Sequence, residues 1–287
     1  MKNHQFLALF LLFSFPTFLF SQFTIQGKVT DTQSGTPIPF VNLGIKRLAT
    51  GSVSDEAGFY QLSLKKARPD DRVTISSIGY RSKELSLAAL KQSPDIELQP
   101  QAYTIPKIEL SAKKLDGKTI TIGNTKRKRK LSIGFANSQL GTEIGALLPI
   151  KKETWIKSAH FVVNRGNKDS LLFRLNIFQY QNGQLGENLV RENILLPAPT
   201  QKGLMSIDLE KYNLVTDQPV LLSLQWIKAY QGEGELLITF NAQKSGARDN
   251  LFIKASSVSD FQMISESFPG APKYEACFYI TGQQVKK

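Results

Sequence analysis

The stretch Phe23-Thr24-Ile25-Gln26-Gly27-Lys28-Val29 decides the fold. Apolar or small residues take its odd positions and polar residues the even ones. That period of two sets one strand face against a core and the other in water. A turn cluster follows, Asp31-Thr32-Gln33-Ser34-Gly35, and then a second strand through Ile38, Phe40, Asn42 and Gly44 to Ile45. Gly51 opens another turn region. In Asp55-Glu56-Ala57-Gly58 the glycine is available for positive φ, and Asp55 is placed to cap its own turn. Further strands are expected at Phe59–Leu64, Val73–Ile78, Ser82–Leu87 and Ile96–Leu98. Short strands with turn signals every 8–12 residues or so predict a small β-sandwich.

Toward the C-terminus the same pattern resumes on longer strands from about Leu131. Candidates are Thr142–Ile150, Trp155–Arg165, Ser170–Tyr180, Glu192–Leu196, Leu204–Leu209, Val220–Lys228, Glu235–Phe240, Leu251–Ala255 and Ala276–Thr281. Asn182-Gly183 marks a turn, and no stretch gives a convincing long helix. The expected architecture for residues 131–287 is a two-sheet, jelly-roll-like β-sandwich, which makes the whole chain all-β.

Toward the N-terminus, Lys2 and the apolar run Phe6–Phe20 read as a signal peptide over residues 1–21, with Ser21 before the cleavage point. Pro16 interrupts the run, which argues against a membrane anchor, and no cysteine follows it to carry a lipid. The mature protein is expected to be exported and to begin near Gln22, residing in the periplasm, at the outer membrane or outside the cell. The chain of 287 residues holds one cysteine and two histidines. That inventory excludes a disulfide framework and a Cys-rich metal site. Export leaves His160 as the lone histidine, read as a strand residue with a satisfied hydrogen bond. Cys277 lies in an apolar run and reads as a buried, inert thiol. No metal and no cofactor are expected.

The formal charge is +12. Residues 113–130 carry +7 of it, whereas 22–112 and 131–287 carry +2 each. The excess therefore sits in a segment expected to be a linker, residues 101–130, around the run Lys126-Arg127-Lys128-Arg129-Lys130. Such a run attracts phosphates, anionic lipid, lipopolysaccharide or acidic polysaccharide. Without interleaved aromatics, and in an exported chain, it does not point to nucleic acid.

Four motifs in order carry a family resemblance. Gly27-Lys28-Val29-Thr30-Asp31 and Gly35-Thr36-Pro37-Ile38-Pro39-Phe40-Val41-Asn42 resemble the opening of the carboxypeptidase regulatory-like domain. Ser54-Asp55-Glu56-Ala57-Gly58-Phe59-Tyr60 resembles its central turn, and Ile75-Ser76-Ser77-Ile78-Gly79-Tyr80 a later strand. The resemblance implies a seven-stranded transthyretin-like, Ig-like sandwich over residues 22–100. Such domains occur in exported Bacteroidetes proteins, including N-terminal extensions of TonB-dependent receptors, and Ala102–Ala112 is similar to the segment that follows the domain there. It implies no peptidase activity. A zinc carboxypeptidase needs several His and Glu ligands, and one histidine cannot supply them.

No nucleophile elbow, phosphate loop or dinucleotide fingerprint is present. The expected function is non-enzymatic: an envelope protein whose sandwiches bind or scaffold a protein partner, with exposed strand edges as the route. The alternative is a carbohydrate-binding accessory protein using the C-terminal sandwich. Tyr230 and Trp226 are its candidate sugar-stacking residues, although Trp226 also suits a core. That alternative calls for a groove holding a solvent-facing aromatic flanked by amides and acids.

Overall fold

The computed structural model describes residues 22–101, 115–126, 131–136, 140–165, 171–228, 237–245, 249–267, 270 and 272–285. The signal-peptide expectation for residues 1–21 lies outside them, as do Arg127–Lys130 and Tyr230. The described chain is all-β apart from short helical turns. Among its described residues no helix is long and apolar enough to cross a membrane.

The first sandwich contains β1 (Phe23–Asp31), β2 (Asn42–Ile45), β3 (Thr50–Val53), β4 (Phe59–Leu64), β5 (Arg72–Ser76), β6 (Lys83–Ser86) and β7 (Ile96–Leu98). One sheet runs β4-β1-β7 and the other β3-β2-β5-β6. The alternation in β1 does what it predicts. Ile25 and Val29 join Leu43, Leu62, Val73 and Ile75 in one core, while Thr24, Gln26 and Lys28 face out opposite Ser63, Gln61 and Phe59. The turn before β4 is held by Asp55, whose Oδ1 accepts from the Ala57 and Phe59 N–H groups, each at 2.9 Å. Gly58 sits there at φ 77°, a conformation that a side chain disfavours. A short helix, α1 (Leu87–Gln92), is capped by Ser86 and buries Leu87 and Leu90.

The second sandwich contains β8 (Leu115–Gly123), β9 (Leu131–Ala136), β10 (Glu143–Leu148), β11 (Thr154–Arg165), β12 (Leu172–Gln181), β13 (Gln184–Asn188), β14 (Ile194–Pro197), β15 (Gly203–Asp208), β16 (Val215–Thr216), β17 (Val220–Trp226), β18 (Leu237–Lys244), β19 (Leu251–Lys254), β20 (Gln262–Met263), β21 (Tyr274–Ala276) and β22 (Phe278–Val285). One sheet is ordered β13-β12-β17-β10-β19-β20, with β14 on β12. The facing sheet is ordered β21-β18-β11-β22-β8, with β15 and β16 on β11 and β9 on β18. Between them lies a core of Phe135, Phe161, Phe173, Phe240 and Phe278 with many aliphatic neighbours.

The linker expectation for residues 101–130 fails at 115–123. These residues form β8, which pairs with β22 from Gly123↔Tyr279 to Leu115↔Val285. Thr119-Ile120-Thr121-Ile122 carries the strand alternation, and the surrounding lysines obscure it. Among the described residues β8 pairs with β22 alone, so its exposed Lys118 stands at a sheet edge and blunts it.

The two cores are joined by a third, small cluster: Phe40 and Val53 from the first sandwich with Ile227 from the second. The first sandwich and the segment after β19 cover the outer face of β12, β17 and β10. Side chains there are polar yet buried: Arg174, Asn176, Ser223, Gln225 and Glu143. Ser257 reaches the first sandwich and donates from Oγ to the Leu43 carbonyl at 2.8 Å. Gly51 makes that approach possible, since a Cβ there would collide with Ser257 Oγ.

Candidate interaction surface

Arg174 organises the junction. It lies on β12 beside Gln225 of β17, which in turn lies beside Glu143 of β10. The side chain is fully enclosed, yet every guanidinium N–H has an acceptor. Nη1 donates to the Phe40 carbonyl at 2.9 Å and to Asn193 Oδ1 at 3.2 Å. Nη2 donates to Asn42 Oδ1 at 3.0 Å and to Gln225 Oε1, and Nε donates to the same Oε1 at 3.0 Å. Two of these acceptors come from the first sandwich. Phe40 adopts φ 56°, a left-handed conformation uncommon for so large a residue, and its carbonyl meets the guanidinium.

Burial lowers the Arg174 pKa to about 10 against the opposing pull of Glu143, so it stays charged at neutral pH. Glu143 accepts from Asn176 Nδ2 at 2.7 Å and Ser223 Oγ at 2.6 Å. Lys254 stands 3.8 Å from its other oxygen, with a pKa lowered by burial.

Beside this junction opens a cleft of about 910 Å3. The buried Phe40, Val53 and Ile227 form its floor, and Phe59, Gln61 and Lys228 also line it, the lysine bonded to Glu56 at 3.2 Å. Phe59 is 55% exposed, an unusual state for a large apolar side chain, and Lys28 Nζ lies 5.0 Å from its ring centre. Gln26 and Gln61 are bonded to each other at 3.2 Å along the same face.

The cleft also borders a strand edge. The Val29 N–H donates to the Gly58 carbonyl, and the register then places the Gly27–Tyr60 and Ile25–Leu62 pairs in the hydrogen-bonded positions. The N–H and C=O groups of Phe59, Gln61 and Ser63 therefore point away from β1. Those of Phe59 are taken by Asp55. Those of Gln61 and Ser63 have no partner among the described residues, so β4 ends its sheet with a free edge.

The sequence-derived residues fare unequally. Trp226 is 4% exposed, packs in the core and donates from Nε1 to the Lys228 carbonyl. Its ring is withdrawn from any sugar, which corrects its candidacy as a stacking residue. Tyr230 falls outside the described residues. Of the basic run, Lys126 is described and the other four residues are not. Cys277 is buried, donates to the Lys126 carbonyl at 2.8 Å, and has its thiol pKa pushed up to about 11 by burial. His160 is bonded through Nδ1 to Ser206 Oγ at 2.8 Å and through Nε2 to Ser158 Oγ at 3.0 Å, with its ring stacked on Tyr279. This group lies on the face of a sheet, and among the described residues no carboxylate is bonded to the imidazole. A solvent-facing aromatic flanked by amides and acids does occur at the junction, but it is Phe59 of the first sandwich and not a residue of the C-terminal one on which the carbohydrate alternative rests. The sequence places Phe59 at a turn and at the start of a strand, and neither signal marks it as a contact residue.

Known proteins add the family. Residues 25–108 match the CarboxypepD_reg-like domain. The first sandwich is thus a regulatory-like domain, as its four motifs indicate. Over 68 residues the chain is 40% identical to the TonB-dependent receptor SusC of Bacteroides thetaiotaomicron, a match covering 24% of this chain and 6% of that receptor. The chain therefore corresponds to a small part of that relative's length. Among solved structures, the cysteine protease and lectin-like domains of a Clostridium difficile surface layer associated protein align with TM-score 0.38 and 9% identity. That alignment covers 59% of this chain and 37% of the other. The structure of infectious bursal disease virus, Gx strain, aligns with TM-score 0.28 and 11% identity over 92% of this chain and 59% of the other. Likeness at that level carries no functional argument.

Proposed function

We propose that the chain is an exported protein of the cell envelope, without enzymatic activity, whose regulatory-like domain binds a protein partner by adding a strand to β4. The free edge at Gln61 and Ser63 carries this reading, because four backbone groups there await partners beside a cleft with an apolar floor. Backbone pairing supplies affinity in such a mode, and the exposed Phe59 next to the edge supplies a side-chain contact that selects the partner. The matching segment of a TonB-dependent receptor is consistent with an envelope setting. Among the described residues no group of three or more His, Cys, Asp or Glu side chains could hold a metal ion, and the enclosed Cys277 is unsuited to nucleophilic attack.

The test places a photo-reactive residue at Gln61 in intact cells and compares the adducts with those formed when Ser63→Pro is also present. The Ser63 N–H donates nothing to β1, so proline keeps the backbone pairing while removing an edge N–H and one exposed side-chain bond to Thr24. A defined envelope-protein adduct that falls at least tenfold with Ser63→Pro supports the reading. An adduct indifferent to the proline, or none, overturns it.

A further inference from the structure

A second cleft, of about 1020 Å3, opens at the end of the second sandwich, remote in sequence from the regulatory-like domain. Lys126 follows β8, Lys151 follows β10 and Lys244 ends β18, and all three are exposed on its rim. None of them has a carboxylate within ion-pairing distance among the described residues. Lys126 is fixed in place, since its N–H donates to Asn124 Oδ1 at 3.0 Å and its carbonyl accepts from Cys277.

The wall of the cleft has the opposite character. Glu275 Oε2 accepts from Gln243 Nε2 at 2.8 Å and Asn124 Nδ2 at 3.5 Å, so amides rather than cations hold it. Asp249 Oδ1 accepts from the Tyr274 N–H at 3.4 Å, while its buried Oδ2 has no partner among the described residues.

We propose that this cleft binds a saccharide bearing an anionic group: a phosphate, sulfate or carboxylate. Lysine ammonium groups without carboxylate partners suit the anion. Carboxylates and amides suit hydroxyls, which both donate and accept. A bare anion would meet two carboxylates and gain nothing from them. A neutral sugar would leave three ammonium groups unused. Among the described lining residues there is no aromatic, so neither a nucleobase nor a sugar face has a ring to stack on here, and recognition rests on the polar groups alone. The volume lies at the upper end of small-ligand sites, which run to about 1,000 Å3. Lys126, the first residue of the basic run, thereby acquires a chemical setting at the rim of this cleft.

Calorimetry on the full chain would use an oligogalacturonate, a neutral oligosaccharide of equal length, inorganic phosphate, and vesicles with or without lipopolysaccharide. Binding of the acidic oligosaccharide at least tenfold tighter than the neutral one, and lost at least tenfold in Lys151→Gln/Lys244→Gln, supports the proposal. Both lysines are exposed and unpaired, so the double variant keeps its melting temperature. Glu275→Gln is expected to weaken the saccharide severalfold while leaving phosphate binding no weaker, since a negative charge is removed. Lysine-dependent capture of lipopolysaccharide vesicles without binding of the free oligosaccharide assigns the same chemistry to a lipid headgroup. The proposal is overturned if phosphate or phosphatidylglycerol vesicles bind as tightly as the saccharide. It is equally overturned if no probe binds or if the lysine variant binds unchanged.

Discussion

The two faces of the sheet that carries β12, β17 and β10 are both buried, yet they are built from opposite chemistry. Its inner face presents Phe173, Leu175, Leu222, Leu224, Ile144 and Ala146 to the core of the second sandwich. Its outer face presents Arg174, Asn176, Ser223, Gln225 and Glu143 to the regulatory-like domain and the segment after β19. Apolar burial is non-directional and tolerates many arrangements. Burial of a guanidinium tolerates few, because each N–H left without an acceptor would cost a desolvation penalty. The inner face thus sets how stable the second sandwich is, and the outer face sets how the other sandwich sits on it.

The largest effect that would break this contrast is at Arg174. Arg174→Ala leaves the Phe40 carbonyl, Asn42, Asn193 and Gln225 without their shared donor and takes a neighbouring cation away from Glu143, and is expected to cost about 3–5 kcal/mol. Denaturant unfolding should show the loss, with the regulatory-like domain melting in a separate, earlier transition. A cost below about 1 kcal/mol with a single transition would show that the outer face is held by something other than this network.

Much of this was legible in the sequence. The ends of β4, the Asp55 turn, the positive φ of Gly58 and the first core all follow from local alternation and turn chemistry. The junction does not, because whether a polar strand face meets water or another sandwich depends on residues far away in the chain. A trace was present nonetheless. The outward positions of β12 and β17 hold Arg, Asn, Ser and Gln in place of the Lys and Glu usual on a solvated face. β8 is hidden for the converse reason: the charge around it outweighs a short alternating run. The exposed Phe59 belongs to the same class, since only the neighbouring sandwich turns that side chain from a lone surface apolar group into the wall of a cleft.

An intermediate effect sharpens the contrast within the first sandwich. Arg47 and Asp71 form a bidentate pair there, at 2.7 Å for both bonds, with no contribution to the junction. The Arg47 hydrogen bond is the main cause that lowers the Asp71 pKa from 3.8 to about 2. A carboxylate depressed in the fold contributes stability above its unfolded pKa and loses it as pH falls through the folded value. The wild-type advantage over Asp71→Asn should therefore be complete at neutral pH and fade between pH 4 and 2 or so. Solvent around the half-exposed Arg47 screens the pair, which limits the advantage to about 1 kcal/mol. Melting temperatures of the two proteins across that range decide the point. A difference constant down to pH 2 would mean that Asp71 acts through its bonds to the Arg68 backbone without needing its charge.

The smallest effect belongs at the rim of the same junction. Lys46 and Asp260 pair at 2.8 Å across it, with side chains 62% and 70% exposed, and Lys228 and Glu56 pair at 3.2 Å in a similar setting. By distance alone these bridges equal the contacts of Arg174. By environment they differ, because water already solvates each partner and both long side chains lose freedom on pairing. Lys46→Gln and Lys228→Gln are each expected to change unfolding free energy by less than about 0.5 kcal/mol, with any loss shrinking further at high salt. Combining them should add nothing beyond the two separate effects, since they lie at separate points of the rim. If the double variant instead undocked the sandwiches as Arg174→Ala is expected to do, orientation would be set at the rim by charge steering, and the buried face would merely fill the space between.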